Sequence, residues 1–393
     1  MSINTHSPTS SISSSDSFSS LESPPDTPTT PPPETDTPFD KSTIADLVAE
    51  YGSSSASAWL EFDRYKIWRP AEPVAESTFL PVQGYMRRDP YVFAWGNPLV
   101  SSPAALLPTA RAFAAWAEGQ GLRPVWACVD HDLEVVLGGS PFSWCTVNCI
   151  YEDVVDPAHV VEITSDAYEK RRSADGQGLP SHLKDLRKNL RRAEKARVAV
   201  HEVKHEDWIE ADRQEIEAGI VDWRKHRHGL QLASTSLQPW LDEKHRRYWV
   251  AHVDKKVVGF IILTPIKGSA YQIKNCISFP SAPKGTSEAL ISTALADLHK
   301  EQQARASTSP EDRITVTFGI TASDKLKPIE NLSGWKVNAL AKTYGQVAKG
   351  TGLLRRGDFR NKFESEHDPM YVCYPDGRFG LHGVEALLKL LRK

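Results

Sequence analysis

The stretch Ser269–Lys300, SAYQIKNCISFPSAPKGTSEALISTALADLHK, sets its residue types in an order that suits acyl transfer. It reads as a strand, a short loop with two prolines and a glycine, and an amphipathic helix whose first turn carries Ser287 and Glu288. The first N–H groups of such a helix have no partners inside it, so they can face an anion or a carbonyl oxygen that gains charge during reaction. An ordinary strand-to-helix connection capped by Thr286 is the alternative. A second stretch, Ser181–Val198, places Leu183, Leu186, Leu190 and Ala193 at helical spacing. Lys184, Arg187, Lys188, Arg191, Arg192 and Lys195 cover much of the remainder, against only Asp185 and Glu194. This stripe suits phosphates of a nucleic acid or of lipid headgroups, and a plain solvated face is its other reading.

The elements that must position these residues follow from composition and periodicity. A chain of 393 residues fits two domains plus a tail. Its 40% hydrophobic and 25% charged content is that of a soluble globular protein, and a net charge of −3 recruits no partner by itself. Five cysteines without a secretory apolar segment before them point to a reduced, cytoplasmic compartment. Cys145 and Cys149 lack a nearby second ligand pair, so they are expected to be buried thiols and no metal is expected. Val257–Leu263 is the longest apolar run, far short of the ~20 residues a spanning helix needs, so any membrane work is peripheral.

Residues 1–41 are almost all Ser, Thr, Pro and acidic residues and read as a disordered tail. STIADLVAEYG follows as a short helix ended by Gly52. Thr78–Met86 and Tyr91–Trp95 read as strands, Pro103–Gln120 as a helix, Arg123–Val129 as a buried strand, and Leu133–Leu137 as another short apolar segment. A helix within Glu206–Leu230, a hairpin of Arg247–Val253 with Val257–Pro265, a strand at Arg313–Gly319, a partly helical Leu332–Lys349 and a last strand at Met370–Tyr374 complete the pattern. The expected fold is α+β, with mixed sheets flanked by helices in tandem acetyltransferase-like (GNAT/Fem-type) domains. The boundaries are 42–165 for the first, 166–199 for a basic connecting helix, 200–376 for the second, catalytic domain, and 377–393 for a C-terminal amphipathic helix. In that last segment Val384, Leu387, Leu388 and Leu391 share a face, which suits docking on a membrane surface or packing on the chain's own body.

Four segments carry a family likeness: LRKNLRRAEKARV, PSAPKGTSEALI, a strand ending in FGITAS, and DFRNKFESEHDPMYVCYP. With YVFAWGNP and GLRPVWACV in the first half, they make residues 75 to 376 resemble DUF2156, the C-terminal synthase domain of the lysyl-phosphatidylglycerol synthases or multiple peptide resistance factors. The chain is similar in particular to free-standing fungal ergosteryl-amino-acid synthases, and it has no flippase-type membrane domain and no synthetase domain. The resemblance implies transfer of an aminoacyl group from aminoacyl-tRNA to a lipid hydroxyl, with no cofactor beyond that donor. Where the family reads close to DLMR, this chain has Lys274-Asn275-Cys276-Ile277, and its Gly-Asp-Pro is Gly96-Asn97-Pro98. The missing arginine removes a partner for a phosphodiester, which favours a neutral hydroxyl such as that of ergosterol over phosphatidylglycerol, and the resemblance favours glycine as the amino acid.

Arg360 and Lys362 fall on the family's Lys-x-Lys-Phe position and are the expected catalytic cations. Lys274 and Asn275 are expected at the acceptor or ester site, and Thr321 and Ser323 at the amino acid. Gly285, Thr286, Ser287 and Glu288 form the substrate loop, Tyr344 or His228 is the candidate proton relay, and the basic stripe of 184 to 195 is the candidate tRNA surface. A coenzyme-A-dependent N-acyltransferase and a non-catalytic RNA- or membrane-binding module are the competing classes; the single glycine of Pro283-Lys284-Gly285-Thr286 fits a pyrophosphate loop poorly.

Overall fold

The computed structural model describes residues 41–57, 59, 65–226, 237–306, 313–334, 337, 340–342, 344–345 and 359–391. The expected tail up to residue 40, His228 and half of Leu332–Lys349 lie outside them. The described residues from 41 onward belong to one compact unit.

That unit is built on a single mixed sheet, in the order β1-β2-β3-β4-β11-β5-β10-β9-β8-β7-β6. Its strands are β1 (Lys66–Trp68), β2 (Gln83–Arg88), β3 (Tyr91–Trp95), β4 (Arg123–Val129), β5 (Cys145–Val155), β6 (Ala199–Val203), β7 (Arg247–Val253), β8 (Lys256–Lys267), β9 (Ala270–Ser278), β10 (Thr315–Glu330) and β11 (Glu366–Tyr374). The chain's last strand lies between β4 and β5, so the C-terminal segment completes the sheet of the N-terminal half. All neighbours are antiparallel except β3 with β4 and β9 with β10. A helix bridges each parallel pair, α2 (Leu106–Gly119) in the first case and, in the second, the long helix that opens at Thr286. The strand–helix–strand unit therefore occurs twice, as a parallel crossover demands.

Apolar patterning explains the layers. In β8, Phe260 and Ile262 enter one apolar cluster and Ile261 and Leu263 another, so this run is covered on both faces. On one side lie α4 (Pro157–Thr164), α6 (Ser181–Lys195) and α8 (Thr286–Ala306), with Val160, Ile163, Leu183, Leu186, Leu290 and Ala294 in the core. α2 and α3 (His131–Gly138) cover the N-terminal half through Phe113, Leu133 and Leu137. α1 (Lys41–Tyr51) buries Ile44 and Val48 against Trp59, Val82 and Met86.

Several expectations are corrected. Leu133–Leu137 lies within helix α3, because the Asp130 carboxylate caps the Leu133 N–H at 3.1 Å. β2 starts at Gln83 rather than Thr78. β10 runs on to Glu330, well past Gly319, and the central strand β5, bracketed by Gly138-Gly139-Ser140-Pro141 and Asp156-Pro157, is an addition to the expected strands. For the helix Leu381–Leu391, of the two readings left open, packing on its own body is the one observed: Ala386 is buried, and Leu387 and Leu390 join the cluster that holds Phe93, Val372 and Tyr374. No helix among the described residues is long and apolar enough to cross a membrane.

Candidate active site

The two parallel pairs differ in length. β3 stays paired with β4 along its whole course, from Tyr91 opposite Arg123 to Trp95 opposite Ala127. β9 meets β10 over three residues only, Ala270 to Gln272 against Thr315 to Thr317. Beyond Gln272 and Thr317, β9 bonds to β8 alone and β10 to β5 alone, which leaves a wedge between Ile273–Ser278 and the continuing β10. An irregularity sits on each side of it. Ile262 pairs with Asn275 and Leu263 with Ile273, so Lys274 is an extra residue in β9; Thr317 pairs with Val154 and Gly319 with Asp153, so Phe318 is extra in β10. Bulges of this kind re-aim side chains and end pairing.

The segment after residue 358 closes the wedge. Phe363, fully buried, packs on Phe318 at 5.5 Å and anchors the short 3-10 turn Asn361–Phe363. The anchor fixes its two cations. Arg360 Nη1 donates to Asp153 Oδ2 at 2.6 Å and to the Gly319 carbonyl at 2.9 Å, and it also contacts Thr321 Oγ1. Asp153 is 0% exposed and binds His367 Nδ1 at 2.7 Å and the Thr321 hydroxyl as well. Lys362 Nζ donates to Glu288 Oε1 at 3.0 Å, beside Asn189 Nδ2 at 2.8 Å, and lies over the Phe359 ring. The carboxylate of Glu288 thus occupies the first turn of α8, where the helix dipole favours it.

The loop that leads into α8 is tied to α6. Gly285 has φ +97°, and a Cβ there would lie 2.0 Å from the Asn189 carbonyl oxygen, so the α6 backbone and the loop touch only because this residue is glycine. Thr286 is buried and its hydroxyl donates to Pro283 O at 2.8 Å, a role different from the expected cap. Ser287 Oγ lies 2.7 Å from Ser278 Oγ across the loop. Cys276 is a poor nucleophile: burial pushes its thiol up to about 12, and the Glu288 charge adds to this against the Ser287 contact.

The expected residues therefore group into those at the wedge and those elsewhere. Arg360, Lys362, Glu288, Ser287 and Thr321 gather around it, with Lys274 buried and Asn275 half-buried on β9. Ser323 is buried and its Oγ accepts from the Lys325 N–H at 3.2 Å. Tyr344 Oη lies 2.6 Å from both the Cys149 and the Ser323 carbonyl oxygens, and burial holds its hydroxyl well above the usual range, so it is placed as a tie between backbones. On α6, Lys184, Lys188, Arg191, Arg192 and Lys195 are exposed. Arg187 is not: at 5% exposure its guanidinium caps the end of α4 through the Thr164 and Ser165 carbonyls at 2.9 and 2.8 Å and pairs with Asp166 and Glu169. It stands inside the fold and away from the tRNA-facing stripe that its spacing suggested.

Asp153, Asn189, Glu364 and His367 were not singled out from the sequence. Glu364 bridges His159 Nε2 at 2.9 Å and His182 Nε2 at 3.0 Å, joining the segment after residue 358 to α4 and α6. The acidic pair Glu152-Asp153 inside an apolar run was the available signal.

No curated protein matches this sequence. Among solved structures, the C-terminal DUF2156 domain of a putative lysylphosphatidylglycerol synthetase from Agrobacterium fabrum superposes with a TM-score of 0.61 at 14% identity, covering 90% of this chain and 95% of that one. The L-PGS of Bacillus licheniformis gives 0.64 at 14% identity, covering 89% and 95%. At this identity the two structures establish the fold, and the family rests on the sequence itself. The family model described as phosphatidylglycerol lysyltransferase, C-terminal, matches residues 84–374, well over half of the chain, and the protein belongs to that family.

Proposed function

We propose that the protein is an aminoacyltransferase that moves an aminoacyl group from aminoacyl-tRNA to the hydroxyl of a membrane lipid. The observation that carries this reading is the wedge between β9 and β10, with Arg360 and Lys362 set beneath it and an exposed basic helix tied to its rim through Asn189 and Gly285. An aminoacyl ester is already activated, so transfer needs no covalent enzyme intermediate. The lipid hydroxyl oxygen bonds to the ester carbonyl carbon, the bond from that carbon to the ribose oxygen breaks, and the hydroxyl proton ends on the ribose. In this reading Lys362 and Arg360 offset the negative charge of the terminal adenosine and of the tetrahedral oxyanion. Lys274 and Asn275 lie along the acceptor side, Thr321 and Ser323 along the amino acid, and the neighbouring tRNA 2′-hydroxyl carries the proton. Lys184, Lys188, Arg191, Arg192 and Lys195 meet the tRNA backbone. No cofactor is required beyond the donor. The division of the sheet into 42–165 and 200–376, joined by 166–199, is retained as the functional one, with β11 lent to the first half.

Family membership favours phosphatidylglycerol as the acceptor. A second reading, ergosterol with glycine, draws on Lys274-Asn275-Cys276-Ile277, where no arginine is present to pair with a phosphodiester. Lipid extracts from cells with and without the protein, and from a reaction of the purified protein with charged tRNA and vesicles of either lipid, decide by mass spectrometry. An aminoacyl lipid that disappears on RNase treatment is the expected product, and its acceptor selects between the readings. Absence of any aminoacyl lipid in both settings overturns the proposal.

A further inference from the structure

Acyl transfer to a hydroxyl needs a base for the hydroxyl proton, and the two expected relays do not supply one. Tyr344 Oη is spent between the Cys149 and Ser323 carbonyls, and His228 lies outside the described residues. Three imidazoles adjoin the segment that carries Arg360 and Lys362. His159 and His182 both turn Nε2 to Glu364. His367 is held the other way round: its Nδ1 lies 2.7 Å from Asp153 Oδ1, and among the described residues its Nε2 has no hydrogen-bond partner.

Strand register explains this placement. His367 of β11 stands opposite Asp153 of β5, and Thr321 of β10 stands opposite Tyr151, two residues from Asp153. Opposed residues share a face, as do alternate residues of one strand, so Thr321, Tyr151, Asp153 and His367 line one face across three strands. Two residues beyond Asp153 on that face, Val155 enters the apolar core under α4, α6 and α8, so the polar row lies where this cover ends. The Asp153 side chain is 0% exposed and that of His367 48%, with the Tyr151 ring 5.8 Å from the imidazole. Arg360 and the Thr321 hydroxyl donate to Asp153 Oδ2, which leaves Oδ1 for His367. One carboxylate therefore joins the guanidinium to the imidazole. Because Arg360 already neutralises Asp153, charge balance does not require the histidine. A carboxylate accepts hydrogen bonds only, so Nδ1 carries the hydrogen and Nε2 presents a lone pair outward, the arrangement that a buried aspartate imposes on a basic histidine.

We propose that His367 is the general base of the transfer, oriented by Asp153. The inference rests on the aminoacyl-transfer reading and specifies the proton's route. His367 Nε2 takes the proton of the lipid hydroxyl as that oxygen bonds to the ester carbonyl carbon. The resulting imidazolium is held against the Asp153 carboxylate while Arg360 faces the oxyanion. The proton then passes through the neighbouring 2′-hydroxyl to the ribose oxygen as the bond from carbon to that oxygen breaks. The imidazole returns to its neutral form, and no other reactant is consumed.

The test is steady-state transfer by the full-length protein from glycyl-tRNA and lysyl-tRNA to vesicles containing phosphatidylglycerol or ergosterol. His367→Asn keeps an N–H near the position of Nδ1 and so can still donate to Asp153, but it carries no base. His367→Ala leaves room for added imidazole. Both variants are expected to lose about a hundredfold or more in kcat, the usual share of a general base. KM for charged tRNA should stay within about twofold, because the lost interaction belongs to the transition state. Imidazole in the buffer should restore turnover to His367→Ala in proportion to its concentration, and thermal unfolding of both variants confirms the fold. Full activity in His367→Asn overturns the proposal, because the imidazole would then serve only as a donor to Asp153. A loss that lies in KM and resists imidazole overturns it too, and places His367 in binding. Wild-type protein that transfers to neither lipid loses the proposed function and the base with it, whereas an active wild type with an equally active His367→Asn loses the base alone.

Discussion

Arg360 donates to Asp153 Oδ2 at 2.6 Å across 207 positions of sequence, and this contact fixes the segment that carries Arg360 and Lys362 against the central strand. Because Asp153 is fully buried, removing its partner leaves an uncompensated charge in the interior. Arg360→Met is expected to destabilise the fold by about 3 kcal/mol, the low end for a broken buried pair, since His367 and Thr321 remain on Asp153. Pairing it with Asp153→Asn should restore most of the stability while activity stays lost. Denaturant unfolding and a transfer assay on the same three proteins check this. Recovery of activity in the double variant would show that Arg360 serves structure alone.

The basic helix should divide into two kinds of residue. Arg187→Ala strips donors from the Thr164 and Ser165 carbonyls and is expected to cost about 2–3 kcal/mol of stability. Lys188→Ala and Lys184→Ala, on the exposed side, should leave unfolding within about 0.5 kcal/mol of wild type. Together those two should lower tRNA affinity and make its dependence on salt shallower. Filter binding over a salt series, with unfolding curves in parallel, separates the two effects. A tRNA affinity unchanged by the lysine pair would remove α6 from the donor surface.

Gly285 gives a steric test. A methyl group placed there meets the Asn189 carbonyl oxygen at 2.0 Å, and the positive φ adds strain of about 1–2 kcal/mol. Gly285→Ala is expected to push the loop from α6, releasing the Asn189–Glu288–Lys362 chain, and to lose transfer while the distant N-terminal half stays folded. Hydrogen exchange should show the rise confined to α6, the loop and the start of α8. A global loss of protection would place the glycine in the folding of the whole unit.

Local chemistry was readable in the sequence, and long-range placement was not. β3, β4 and β7 follow from short continuous apolar runs buried on both faces, and α2 and the basic helix from apolar stripes at helical spacing. The loop before α8 was readable as a candidate site, but the wedge beside it opens through a pairing register, which no single strand displays. Arg187 illustrates the limit: its spacing is that of its exposed neighbours, and only the arrival of the α4 carboxyl end decides that it turns inward. Lys274 looked like any strand lysine until β8 left it without an opposite residue. Glu152 and Asp153 lie in β5, which Gly138-Gly139-Ser140-Pro141 and Asp156-Pro157 do bracket, but their contacts come from segments about a hundred and two hundred positions away, which no local pattern displays.

The contact of Glu364 with His159 and His182 has a pH signature. Burial acts to raise the Glu364 pKa, but the hydrogen bonds and charges of His182 and His159 outweigh it, so the folded value lies below the ordinary 4.5. A carboxyl group whose folded pKa is depressed contributes stability above its unfolded pKa and loses it as pH falls through the folded value. The stability difference between wild type and Glu364→Gln should therefore be constant above about pH 5 and shrink on acidification below it. Thermal unfolding of both proteins from neutral pH downward measures the difference. With the side chains 28–39% exposed, solvent screens the pair and the effect is small, so the shape of the curve decides rather than its height. A gap that widens as the pH drops has the opposite sign to the linkage and would mean that the glutamine is the better partner for the two imidazoles. Because the same residue follows Lys362-Phe363 directly, loosening it should also lower transfer in the acidic range before the fold is lost.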